Sequence, residues 1–267
     1  MPPLRFPSGL KAALRPLYHF AFRVQLRVRC FLNDFAQLTY NRAHKIPPAM
    51  VRFRVDESID TAKFLNVGKG CARLIEEHLQ TIGSTLGPET KILDFGCGCG
   101  RVVNWLMMQA PFAWFYGVDV DKEAIDWCVQ NLKGAHFQTT SPKPPLPYPD
   151  EHFDVIYCVS VFTHLDEDMQ DAWLAELKRI LKPGGILIFT VHNAVAAEVL
   201  DCHEHDELRI VGFLCHHSRK LTGIVPSWHH TTWHTKSYMV ARASRWFSCV
   251  EYCVVPDSAQ DVVRCLT

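Results

Sequence analysis

The stretch KILDFGCGCGR, residues 91–101, sets Asp94 just ahead of Gly96, Gly98 and Gly100, with Cys97 and Cys99 between them. Glycines let a backbone turn tightly and come close to a ligand. The pattern is G-x-G-x-G, because Arg101 takes the third glycine place of a dinucleotide fingerprint. No phosphate loop of the form G-x-x-x-x-G-K-[ST] occurs. A carboxylate at the mouth of such a loop repels a diphosphate and attracts a cation. These residues therefore favour a ligand with a positive centre. A small carboxylate on that ligand could rest on amides at the start of the next helix, helped by Arg101.

S-adenosylmethionine has this character, with a sulfonium, an ammonium, a carboxylate and no phosphate. A second acid, Asp119 with Val120 beside it, follows the glycines by about 20 residues, where ribose-binding acids sit. It can accept hydrogen bonds from both ribose hydroxyls. Capping of the next helix falls more naturally to Asp121. Cys97 and Cys99 have no neighbouring Cys or His to complete the three or four ligands of a zinc site. They read as small residues in a crowded loop, and no metal is expected there.

The elements that must hold these residues are legible from periodicity. KILDFG is a strand, and RVVNWLMMQA is a helix stopped by Pro111. WFYGVDV is a second strand, and DKEAIDWCVQNLKG a helix from Asp121 to Gly134. AHFQTT, FDVIYCVS and ILIFTVH are further strands, with an amphipathic helix in DEDMQDAWLAELKRILKPGG ahead of the last. SYMVARASRWF predicts a helix, and SCVEYCVV and DVVRCLT two closing strands. Such alternation means a doubly wound, mostly parallel α/β sheet with helices on both faces. The closing pair has only a short turn and must be an antiparallel hairpin at one edge. The proline-rich SPKPPLPYPD reads as a rigid local loop.

The chain has 267 residues, with 28 basic and 28 acidic side chains and 11 cysteines. Zero net charge speaks against nucleic-acid binding. An odd, scattered cysteine count fits a reducing compartment, so a cytoplasmic protein is expected. Residues 1–33 carry Arg5, Lys11, Arg15, Arg23, Arg27 and Arg29 and no acid, interleaved with apolar residues. A basic, amphipathic helical segment is expected over 1–50, ahead of a domain at 51–267. That segment could cap the domain, touch a membrane or protein partner, or act as a transit peptide.

In combination these motifs resemble class I S-adenosylmethionine-dependent methyltransferases. ILDFGCGCGR is similar to the family's glycine loop and YGVDVD to its ribose motif. PPLPYPDEHFDVIYCVSVFTHL resembles its fourth strand, and WLAELKRILKPGGILIFTV its fifth-strand motif. IPPAMVRFRV, VFTHL and QDVV resemble a bacterial subgroup often associated with glycan or secondary-metabolite pathways. The resemblance implies strand order 3-2-1-4-5-7-6 with strand 7 antiparallel. It implies that Asp94, Gly96, Cys97, Gly98, Gly100 and Arg101 meet the methionine end, and Asp119 and Val120 the ribose. Thr140 and Ser141 would approach the adenine, and Val159 and Ser160 would close the methionine side. Many members place an acid after strand 3. Here QTTSP leaves a hydroxyl or a backbone carbonyl to serve.

The expected activity is methyl transfer to a small-molecule acceptor, such as a sugar or secondary-metabolite hydroxyl. A hydroxyl needs a base. His164 follows strand 4 and His192 ends strand 5 on the ligand-binding edge, and either could be that base or simply pin a loop. The His-rich stretch 202–234 reads as a substrate lid, and zinc binding or plain surface histidines are its alternatives. Trp228 and Trp233 could face the acceptor or form the lid's own core. The rival readings are a protein or lipid-linked acceptor, a cofactor-binding module without catalysis, and a dehydrogenase.

Overall fold

A computed structural model describes residues 8–37, 45–217, 224 and 229–267. Three helices precede the first strand: α1 (Ser8–Gln37), α2 (Ala49–Asp56) and α3 (Thr61–Thr81). There follow β1 (Lys91–Phe95), α4 (Val103–Gln109), β2 (Trp114–Asp119), α5 (Lys122–Asn131), β3 (Ala135–Thr139) and β4 (Phe153–Cys158). Then come α6 (Glu167–Ile180), β5 (Leu181–His192), α7 (Cys202–Val211), β6 (Phe213–His217) and β7 (His230–His234). The chain closes with α8 (Lys236–Ala243), β8 (Cys249–Cys253) and β9 (Gln260–Leu266).

Seven strands form one sheet in the order β3-β2-β1-β4-β5-β9-β8, with β9 antiparallel to both neighbours. β8 and β9 are the predicted closing hairpin, so the expected order holds once the strands are renumbered. The difference lies in the His-rich stretch. It supplies α7 and a separate antiparallel pair, β6 with β7. β5 also starts earlier than expected, at Leu181, and the register shifts across Pro183–Gly185 before Ile186 resumes pairing with Val155.

Side chains alternate across this sheet. Ile92, Val155, Tyr157, Ile188 and Val262 pack with α3 and α4 on one face. Leu93, Ile156, Leu187, Phe189 and Val263 pack with α6 and α8 on the other. Each fully buried Leu or Phe contributes about 1.5–3 kcal/mol. This places the carboxyl ends of β1, β2, β4 and β5 along one rigid edge.

Arg52 joins the first three helices and is fully buried. Its Nε donates to the Pro47 carbonyl (3.0 Å), Nη1 to the Ile59 carbonyl (2.7 Å) and Thr61 (2.9 Å), and Nη2 to Asn33 (2.6 Å). Arg54, two positions on, forms a two-pronged contact with the Asp121 carboxylate at 2.6 and 3.2 Å. α2 is thereby fastened over the start of α5, beside the glycine loop. Among the described residues no helix is long and apolar enough to cross a membrane.

Candidate functional site

β1 ends at Phe95, and Gly96 turns the chain with φ +77°. A Cβ at Gly96 would lie 2.3 Å from Val161 Cγ2, so only glycine fits. The amides of Gly96 and Cys97 both donate to the Val118 carbonyl, at 2.9 and 3.0 Å, which locks the loop to β2. Asp119 completes the tie. One carboxylate oxygen accepts from the Gly98 amide (2.7 Å) and the other from the Asp121 amide (2.8 Å). Asp121 in turn caps α5 through the Glu123 and Ala124 amides. The cap of α5 is thus Asp121, and Asp119 is a separate acid at the end of β2.

A cavity of about 710 Å³ opens at this strand edge. Of the predicted cofactor residues, Asp94, Gly96, Cys97, Gly98, Arg101, Asp119, Val120, Thr140, Ser141, Val159 and Ser160 line it. Gly100 does not. Its φ is +72°, and a Cβ there would meet Leu132 at 2.4 Å, so Gly100 serves the packing of α5 against the loop. Cys99 points away into a small core with Val51, Phe64 and Ala124. Burial pushes the Cys99 thiol up to about 12 and Cys97 well above its usual range, so neither is a thiolate.

Asp94 is buried at the base of the cavity and accepts a hydrogen bond from the Tyr157 hydroxyl at 2.9 Å. Burial raises its pKa to about 7. The Tyr157 bond offsets this in part, and nearby Asp119 adds to it. Burial also raises Asp119. Two desolvated acids beside one cavity make a site that gains from a positive guest. Arg101 is buried across the loop, its Nη1 in an ion pair with Asp56 at 3.2 Å, and its Nε lacks a hydrogen-bond partner among the described residues. A buried guanidinium in that state suits a ligand carboxylate.

Ser160 adopts φ +60°, rare for a residue with a side chain. Its amide donates to Thr190 (2.8 Å), and its hydroxyl pairs with the Gln260 amide group. Thr190 also donates to Gln260 at 2.6 Å. Gln260 begins the QDVV signature, so that motif holds the strained turn after β4. Strain of this kind collects at functional edges.

His164 follows this turn and lines the cavity. Its Nδ1 lies 2.8 Å from the His230 carbonyl. A carbonyl only accepts, so Nδ1 carries the proton and Nε2 keeps a free lone pair. Burial, the facing His229 and His192 push its pKa down to about 3. His229 stacks on it with ring centres 3.9 Å apart. His192 makes the same kind of bond to the Thr232 carbonyl at 2.9 Å, but lies outside the cavity lining. β7 therefore orients both predicted histidines, while only His164 reaches the space where a ligand would sit.

The rest of the His-rich stretch divides by contact. His234 is buried against Gln170, and His216 pairs with Glu204 at 3.1 Å. Trp233 packs with Leu200, Leu208 and Leu214 and donates to the Ala196 carbonyl, so it belongs to the inserted segment's own core. Trp228 and the side chain of His217 lie outside the described residues. Among the described residues no cluster of three His, Cys, Asp or Glu side chains could hold a metal.

Sequence reasoning missed Arg54, Val55, Trp173 and Ile224 in the lining. Trp173 had a signal, since it sits on the apolar face of α6 toward Phe95. Val55, the last residue of IPPAMVRFRV, lies over Gly98, and nothing local marks Ile224.

The sheet order and the ligand edge at its carboxyl ends define a Rossmann-like cofactor domain. Residues 93–189 match the family model described as a methyltransferase domain. A fatty-acid O-methyltransferase of Mycolicibacterium smegmatis is 31% identical over 102 residues, covering 38% of this chain and 36% of that protein. A sterol 24-C-methyltransferase of Gibberella zeae is 23% identical over 67% of this chain and 47% of its own length. The chain thus spans less than half the length of these curated relatives. An S-adenosylmethionine-dependent methyltransferase structure from Mesorhizobium loti superposes with TM-score 0.53 at 14% identity, covering 72% of this chain and 96% of that one. Magnesium protoporphyrin IX methyltransferase from Synechocystis with bound SAH gives 0.52 at 15%, covering 80% and 92%. Residues 93–189 are thus a methyltransferase domain set in the Rossmann-like fold of these neighbours, and S-adenosylmethionine is its cofactor. Asp94, Arg101 and Asp119 fit its charges.

Proposed function

We propose that this protein transfers the methyl group of S-adenosylmethionine to a hydroxyl of a small, largely apolar acceptor, with His164 receiving the hydroxyl proton. The observation that carries the reading is that Asp94, Asp119 and the free Nε2-bearing ring of His164 line one cavity. Its volume of about 710 Å³ falls within the ~300–1,000 Å³ of small-molecule sites.

When bound, the cofactor supplies an electrophilic methyl group for in-line displacement. Asp94 and Asp119 would hold its ammonium side and ribose, and Arg101 its carboxylate. Besides His164 and the His229 ring stacked on it, the cavity lining includes the apolar Val161, Leu165, Trp173 and Ile224. Such a wall suits a secondary-metabolite or lipid-like body better than a free sugar, whose many hydroxyls need partners. His164 is neutral at physiological pH, so Nε2 is ready to accept. With the methyl–sulfur bond breaking onto sulfur as the acceptor oxygen takes the methyl group, His164 Nε2 would take that oxygen's proton. A ring with so low a pKa then releases it to solvent.

Methyl-labelled S-adenosylmethionine tests this with the full chain and a panel of hydroxylated amphiphiles and free sugars. Label should appear in an ether of an apolar alcohol. Calorimetric cofactor binding without transfer to any hydroxyl would overturn the reading in favour of a binding module.

A further inference from the structure

α1 has two apolar faces. The inner one, with Phe22, Leu26 and Cys30, packs against Ala49, Phe53 and Ile59. Opposite it, Leu17, Phe20, Val24, Val28, Phe31 and Phe35 recur at spacings of three and four and are each 46–69% exposed. At 3.6 residues per turn these six fall on one side of the helix, along about 27 Å. A stripe of this length with nothing on it among the described residues calls for an occupant.

Charge says which. Arg27 and Arg29 are exposed; Arg27 borders the stripe on one side, Arg29 lies beyond the exposed Leu32 and Tyr18 that widen it on the other, and neither forms an ion pair or hydrogen bond among the described residues. From Ser8 to Asn33 the helix has no acid, and Asp34 turns inward to accept from the Ala49 amide. A second copy of this helix would bring the same arginines against one another. An anionic surface would meet them with opposite charge. An apolar stripe with arginines at its margins is the form that lies in a lipid interface, apolar side down.

We infer that the outer face of α1 is a docking surface for an anionic lipid bilayer. The helix lies flat, with Phe20, Phe31 and Phe35 among the acyl chains and Arg27 and Arg29 at the headgroups. The inner face packs with Ile224, which also lines the cavity. One helix thickness, about 10–12 Å, then separates the lipid from that wall of the cavity.

Sedimentation of the full chain with phosphatidylcholine vesicles, with and without phosphatidylglycerol, tests this. The protein should pellet with the anionic vesicles and be released by high salt. Arg27→Glu should weaken partition by at least roughly fivefold, and Arg27→Glu with Arg29→Glu by more. Phe20→Ser with Phe31→Ser should abolish it. Cofactor binding should stay intact in all three variants, which shows that they fold. Wild-type protein left in the supernatant with anionic vesicles at low salt would overturn the inference. So would binding unaffected by the Arg27 change, or a dimer in solution that Phe31→Ser converts to monomer.

Discussion

The glycine-loop half of the site and the histidine half are built in different ways. In the first, partners lie close in sequence or on adjacent strands: Gly96 and Cys97 bond to Val118, and Gly98 to Asp119. In the second, the key ring is aimed from far away. His164 is oriented by the carbonyl of His230, and His192 by that of Thr232. The first half is a backbone cradle with buried acids. The second is a pair of neutral imidazoles held by one strand of an inserted hairpin. In the proposed function the cradle holds the charged cofactor and the hairpin sets the orientation of the histidine that takes the proton.

The largest effect that separates the halves should come from His164→Ala. It should lower turnover on a hydroxyl acceptor by at least about 100-fold while leaving cofactor affinity within a factor of a few. His192→Ala should cost only a small factor, because that ring lies outside the cavity. Equal losses for the two variants would erase the distinction drawn between them. Wild-type turnover should also show no histidine-like step between pH 6 and 9, since His164 is already neutral above about 3.

Asp119→Asn should do the reverse. Calorimetry should find S-adenosylmethionine bound roughly ten- to a hundredfold more weakly, as charge-assisted hydrogen bonds are lost. Turnover at saturating cofactor should change far less.

The smallest effect is in pH. Asp94 has its pKa raised to about 7, and a cationic ligand binds its ionised form. Affinity should therefore be highest above pH 7 and fall as pH drops below it, by up to about tenfold per unit. Binding near pH 6 should release protons into the buffer. A flat affinity from pH 5.5 to 8 would mean that Asp94 does not face the positive end of the ligand.

Local chemistry explains why the cradle was legible in advance. Positive φ at Gly96, burial of Asp94 at a strand end and capping by Asp121 all follow from residues within a turn or a strand of one another. Gly100 shows the limit: its spacing matched the motif, yet its missing Cβ makes room for Leu132. Trp233 shows another, since an aromatic in an inserted segment can serve that segment's own packing. Val55, at the end of IPPAMVRFRV, and Ile224 reach the cavity from segments distant in sequence from the glycine loop, and β6 and β7 pair in a sheet of their own.

By itself the sequence determined the doubly wound sheet, the glycine turn and the two acids that suit a sulfonium cofactor. Those depend on alternation of side chains, on backbone freedom and on charge, all properties of short stretches. Only the tertiary structure decided which histidine meets the cavity, which walls enclose the acceptor and which apolar side of α1 is left uncovered. Each of those is a matter of which distant surfaces come together, and the cost and gain of that burial are fixed by the whole fold.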